Sequence, residues 1–245
     1  MRGIRVSESG GMSFVKRSQG VGVQDFVRLL VETGALRFGS FVTKSGRESP
    51  FFMNFGAINL GADLSRLARW YADSIVRSYH PLPDVIFGPA YKGIPLAVAI
   101  AMELAAKTGQ QVGFAFDRKE TKGHGEGGNL VGHPLADGCR VVVIDDVLTA
   151  GTSAGQTLAW MKELDVTLAG VLVGVDRCER ASDALGGEGT AASALAKRHG
   201  VRVDSLTDIK KILEMLAHEK SLASASGLTD NVRQRITEYL GKYGP

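Results

Sequence analysis

Residues 141–153 read VVVIDDVLTAGTS, and no other stretch restricts the fold as much. Four consecutive β-branched residues (Val141, Val142, Val143, Ile144) predict a strand buried on both faces, which belongs in a parallel sheet. Asp145 and Asp146 are expected where that strand ends, because a buried strand interior does not hold unpaired charges. Thr149, Ala150, Gly151, Thr152 and Ser153 then form a turn with little side-chain bulk. Its backbone N–H groups close on an anion at the N-terminus of a helix expected over about 154–164. Acids beside such a cradle suit a ligand carrying both a phosphate and hydroxyls, such as a phosphorylated sugar with Mg2+. The P-loop pattern G-x-x-x-x-G-K-[ST] occurs nowhere in the chain.

The remainder repeats this strand–helix grammar. Strands are expected at 85–87, 112–116, 141–144, 168–175 and 201–205. Helices are expected at 94–108, 154–164, 191–199 and 208–218. Such alternation argues an α/β fold with a central, mostly parallel sheet flanked by helices. Ligands gather at the carboxyl ends of its strands, where Asp145 to Ser153 lie. Two helices, 24–33 and about 63–79, precede the alternation, and a last one is expected over 229–243. Residues 38–54 are rich in Gly, Ser and aromatics and predict short strands in a small N-terminal hood formed mainly by about 35–60. The first twenty residues are Gly- and Ser-rich without an apolar core. They read as a disordered extension, with Met12 an alternative start, ahead of a single domain over 21–245. Gly186, Gly187 and Gly189 read as a flexible surface loop away from these motifs.

Composition excludes several classes. A net charge of only +3 gives no electrostatic case for nucleic acid as the main partner. The longest uncharged apolar run, 94–102, is too short to span a bilayer. Cys139 and Cys178 lack C-x-x-C spacing and read as reduced, near-core thiols of a cytoplasmic protein. His80, His133, His199 and His218 are isolated and read as surface residues.

Two further segments carry chemistry. FGPAYKGIP (87–95) runs from a strand through a Gly-Pro turn into a helix, placing Lys92 on the same sheet edge as the acid pair. DRKETKGHGEGGNLV (117–131) contains G-x-G-x-x-G at Gly123, Gly125 and Gly128, but no apolar helix follows, so a dinucleotide fingerprint is a poor reading. Four glycines with Arg118, Lys119, Lys122 and His124 describe a mobile cationic loop that can close over an anion and neutralise a leaving group.

The strand, acid pair and Thr-Gly-Thr-like turn resemble the phosphoribosyl diphosphate (PRPP) motif of type I phosphoribosyltransferases. The 118–128 loop resembles, more narrowly, the R-K-x-x-K-x-H-G-E-G-G loop of the orotate branch. Lys44-Ser45-Gly46-Arg47-x-Ser49-Pro50-Phe51-Phe52, Ala90-Tyr91-Lys92-Gly93, and Asp176-Arg177 with Glu179-Arg180 resemble the same branch, so the likeness runs from about 24 to 218. It implies the type I phosphoribosyltransferase fold and a Mg2+-dependent transfer of the phosphoribosyl group from PRPP to orotate in de novo pyrimidine biosynthesis. The products would be orotidine 5′-monophosphate and pyrophosphate.

Residue by residue, the resemblance implies that Lys44, Tyr91 and Lys92 contact PRPP. Arg118, Lys119, Lys122 and His124 would surround its pyrophosphate. Asp145 and Asp146 would hold the ribose hydroxyls and the water shell of a Mg2+ carried by PRPP, with no dedicated protein cage. Val147, Leu148, Thr149, Ala150, Gly151, Thr152 and Ser153 would cradle the 5′-phosphate. Phe52 and Met53 would flank orotate, with Thr149 and Arg177 on its polar edge and carboxylate. Met53 stands where related enzymes often carry Phe. The catalytic set would be Lys119, Lys122, His124, Asp145 and Asp146. The family also implies a non-proline cis peptide near Tyr91, at 90–91 or 91–92, and a homodimer whose loop 117–128 completes the neighbouring active site. Two rivals stay open: a phosphoribosyltransferase for another nitrogen base, and a PRPP-sensing regulator that binds nucleic acid, against which no basic helix-turn-helix pattern is present. A fused decarboxylase barrel, needing roughly 200 more residues, does not fit the length.

Overall fold

The computed structural model describes residues 22–43, 48–118, 129–136 and 138–245. Lys44, Lys119, Lys122, His124 and the expected N-terminal extension lie outside the described residues. Eight strands are described: β1 (Leu36–Val42), β2 (Glu48–Met53), β3 (Val85–Phe87), β4 (Gly113–Asp117), β5 (Leu130–Gly132), β6 (Cys139–Leu148), β7 (Val166–Asp176) and β8 (Val203–Asp208). Eight α-helices accompany them: α1 (Val23–Glu32), α2 (Gly61–Ser78), α3 (Gly93–Thr108), α4 (Thr152–Met161), α5 (Ala191–His199), α6 (Ile209–His218), α7 (Lys220–Ala225) and α8 (Asp230–Tyr243).

Six strands form one sheet in the order β5-β4-β3-β6-β7-β8, parallel except for β5, which pairs antiparallel with β4. Side chains alternate across it. Ile86, Val142, Ile144 and Leu172 enter a core with α1, α2, α3, α6 and α8, while Val85, Phe87, Val141, Val143, Val171 and Val173 meet α4 and α5 on the other face. After β3 the chain moves outward to β4, and after β6 it moves the other way to β7. The reversal of strand order therefore falls between β3 and β6, the crevice where open α/β sheets bind ligands. The hood is the antiparallel β1–β2 pair, a separate two-stranded sheet.

The acid pair departs from expectation. Asp145 and Asp146 do not end their strand: β6 continues to Leu148, pairing Asp145 with Val173, Val147 with Val175 and Leu148 with Asp176. On its other side β3 stops at Phe87, opposite Val143. Beyond that point β6 is flanked by β7 alone, so carboxylates remain in the strand while their other side faces a cavity. In consequence α4 starts earlier than expected, and Thr152 and Ser153 occupy its first turn. Two elements, β5 and α7, carry no readable periodicity because they span three and six residues. His199 is also not a surface residue: it is 9% exposed at the end of α5. Burial there, then Lys162 and Arg198, lower its pKa.

Candidate functional site

The carboxyl ends of β6 and β7, the start of α4 and the hood enclose a cavity of about 780 Å3. Phe52, Met53, Lys92, Asp145, Asp146, Arg177 and every residue from Val147 to Ser153 line it. Each acid accepts the amide of the residue after it, Asp145 from Asp146 N–H at 2.8 Å and Asp146 from Val147 N–H at 2.9 Å. Lys92 Nζ reaches the other oxygen of Asp146 at 3.1 Å, so the two turns predicted to share an edge do meet. Burial, followed by the charge of Asp146, pushes the Asp145 carboxyl up to about 7. Beneath the pair, the buried Tyr71 hydroxyl of α2 donates to the Asp145 carbonyl at 2.7 Å. Burial first, and then both acids, raise its pKa.

Gly151 caps α4 at φ 81°, a left-handed conformation, and a Cβ there would lie 2.7 Å from Leu185 Cδ1. The loop before the helix therefore stays bare, leaving the first backbone N–H groups of α4 without side-chain capping. Leu185 belongs to the Gly-rich stretch expected to lie away from the site, and that expectation is corrected here. The stretch includes a short 3-10 turn, Asp183–Leu185, that packs on Gly151 and Gly155, and Ser182 N–H donates to Ala150 O at 2.9 Å.

The Lys92 turn folds equally tightly. A Cβ on Gly88 would lie 2.1 Å from the Gly93 carbonyl oxygen. The Ala90–Tyr91 peptide is cis, the first of the two bonds left open, and Ala90 N–H donates to the Asp117 carboxylate at 2.6 Å. Tyr91 and Arg118, expected beside PRPP, do not line the main cavity. Tyr91 is 62% exposed and opens on an adjoining apolar cavity of about 430 Å3 that shares Lys92 and Asp146. Arg118 lines a third, of about 400 Å3, with Asp117, Ser153 and Trp160.

At the far end Arg177 is buried at 6% exposure. Its Nε donates to Glu179 Oε1 at 2.6 Å, and its Nη2 to Ser49 Oγ at 3.2 Å and the Tyr239 hydroxyl at 3.3 Å. The guanidinium lies 4.2 Å from the centre of the Phe51 ring. Phe41, Phe51, Asn54 and Ser182 also line the cavity without having been anticipated. Phe41 stacks on Phe52 at 5.4 Å, across the β1–β2 pair, a contact that no local spacing reveals. Among the described residues no three His, Cys, Asp or Glu side chains converge to hold a metal ion. Carboxylate oxygens at the end of β6 are nonetheless hard donors suited to a hydrated Mg2+. No helix among the described residues is long and apolar enough to cross a membrane.

Residues 57–186 match the family model for the phosphoribosyl transferase domain. An orotate phosphoribosyltransferase of Bordetella petrii is 47% identical over 90% of this chain and 95% of its own. One from Bifidobacterium longum is 40% identical over 89% and 96%. The crystal structure of orotate phosphoribosyltransferase from Francisella tularensis superposes with a TM-score of 0.73 at 35% identity, covering 90% of this chain and all of that one.

Proposed function

The chain belongs to the orotate phosphoribosyltransferase family, and we propose how its cavity performs that family's reaction. Orotate and PRPP give orotidine 5′-monophosphate and pyrophosphate, a pentosyl transfer in de novo pyrimidine biosynthesis. One observation carries the assignment of parts: a bare helix start, an acid pair with a lysine, and a buried arginine share a single cavity. The 5′-phosphate sits on Thr149 to Ser153, where N–H groups and the helix dipole favour anions. Asp145 and Asp146 accept from the ribose hydroxyls. Lys92 draws on the pyrophosphate, with Tyr91, Lys44, Arg118, Lys119, Lys122 and His124 as the further contacts. Orotate lies under Phe52 and Met53 with Thr149 at its polar edge. Arg177 has committed Nε and Nη2 to the protein, so Nη1 is the nitrogen left for the orotate carboxylate.

In the transfer, the orotate ring nitrogen gives up its proton to the departing pyrophosphate and forms a bond to the anomeric carbon as the bond to pyrophosphate oxygen breaks. Positive charge develops on the ribose and negative charge on the leaving group, which Lys92 and the loop cations stabilise without a protein nucleophile. Asp145 and Asp146 would hold a Mg2+ through water, and the bound ion would supply further positive charge against the pyrophosphate. We place the enzyme in the cytoplasm as a homodimer whose loop 117–128 completes the neighbouring site.

Orotate consumption with PRPP, with and without Mg2+ and beside adenine, hypoxanthine and nicotinate, tests the reading. Turnover with orotate alone and only with Mg2+ is expected, and silence with orotate overturns it. For the shared site, mixing Lys119→Ala chains with Asp145→Asn chains restores activity, and no recovery argues against loop exchange.

A further inference from the structure

Arg177 alone does not explain how one guanidinium is aimed. Its surroundings come from three parts of the chain, two of them distant in sequence: Ser49 and Phe51 on β2, Glu179 just after β7, and Tyr239 on α8, which lies outside the residues matched by the family model. The Tyr239 hydroxyl has one proton, and it goes to Glu179 Oε1 at 2.8 Å. That leaves its oxygen to accept from Arg177 Nη2 at 3.3 Å. The Tyr239 ring meets Phe51 edge-on at 5.6 Å and 79°, and Phe51 in turn carries the guanidinium on its face. One residue of α8 thus touches the arginine, its counter-ion and its aromatic platform. The end of α8 is tied down as well: Arg180 N–H donates to the Tyr243 carbonyl at 2.7 Å, and Arg180 Nη2 to the Gly244 carbonyl at 3.0 Å.

We propose that Tyr239 is a positioning residue for base selectivity. Resting on the reading of Arg177 as the carboxylate-binding group, it holds Glu179 and Nη2 on one edge of the guanidinium so that Nη1 faces the cavity. Glu179 already accepts from Nε through Oε1 at 2.6 Å, and the tyrosine proton fixes that same oxygen. Selectivity for a pyrimidine bearing a carboxylate then depends on a helix that contributes no residue to the cavity lining.

Tyr239→Phe keeps the ring and deletes only the hydroxyl. The test is equilibrium binding of orotidine 5′-monophosphate and of uridine 5′-monophosphate, which lacks the carboxylate, to the full chain and the variant. Losing the two hydrogen bonds of that hydroxyl, both to charged groups, should weaken the carboxylate-bearing nucleotide about ten- to a hundredfold, with uridine 5′-monophosphate affinity unchanged. Equal loss for both nucleotides, or no loss for either, overturns the proposal. Failure of the parent reading looks different: the unaltered protein would then show no preference for orotidine 5′-monophosphate.

Discussion

The two ends of the cavity are built in opposite ways. At the phosphate end, ten consecutive positions from Asp145 to Ala154 supply strand edge, acids, turn and helix start, with Lys92 and Ser182 as distant additions. At the base end, β2, the segment after β7 and α8 each contribute one or two side chains around Arg177, and β1 adds Phe41 against Phe52. The phosphate end is mostly backbone, held by tight turns. The base end is mostly side chains, held by a buried polar network. Substitutions should therefore separate the two ends by what they damage, stability as well as catalysis at one and catalysis alone at the other.

Arg177→Met should have the largest effect. Glu179, 1% exposed, would lose the cation bound to it in the interior, lowering stability by about 3–5 kcal/mol. The orotate KM should rise about a hundredfold while the PRPP KM stays put. Thermal melting and steady-state kinetics together read both, and an unchanged melting temperature would erase the contrast. Lys92→Ala comes next. With its side chain 52% exposed, the ion pair to Asp146 adds little stability, so melting should hardly move. Loss of a cation facing the leaving group should still lower kcat by about a hundredfold.

The third prediction concerns pH. Asp145 titrates near 7 in the folded chain against an ordinary 3.8, so between those values the folded state binds more protons than the unfolded one. Stability of the ligand-free protein should fall as pH rises through that window. Asp145→Asn should flatten the fall and melt higher than the parent at pH 8, in a pH series of melting curves, while abolishing most activity. A slope unchanged by the substitution would mean that the acid pair is not under electrostatic tension. The smallest effect is expected at Asp117→Ala, which frees the Ala90 N–H and loosens the Lys92 turn. It should raise the PRPP KM about fivefold without touching the orotate KM, and Asp117→Asn, which keeps an acceptor, should restore most of it.

The same contrast explains what was legible beforehand. Val141 to Ser153 could be read letter by letter because its chemistry is contiguous and its strand and helix obey simple periods. Even there, the end of β6 was misplaced, since the length of its neighbours β3 and β7, and not its own residues, decides where pairing stops. Arg177 was reached only through likeness to known enzymes. Tyr239 was not reached at all, because a tyrosine at a buried position of an amphipathic helix looks the same whether it fills a core or holds an arginine. Leu185 and Ser182 were missed for a related reason: glycines around them signal a loop, and only the fold shows that the loop returns to Gly151.

The contact between Lys92 and Asp146 has one more implication. One lysine there stands beside two carboxylates and pairs with one of them. An anion that recruits the lysine takes it from the aspartate, at a small penalty because the lysine side chain is half exposed. A ligand arriving with its own cation meets no such penalty.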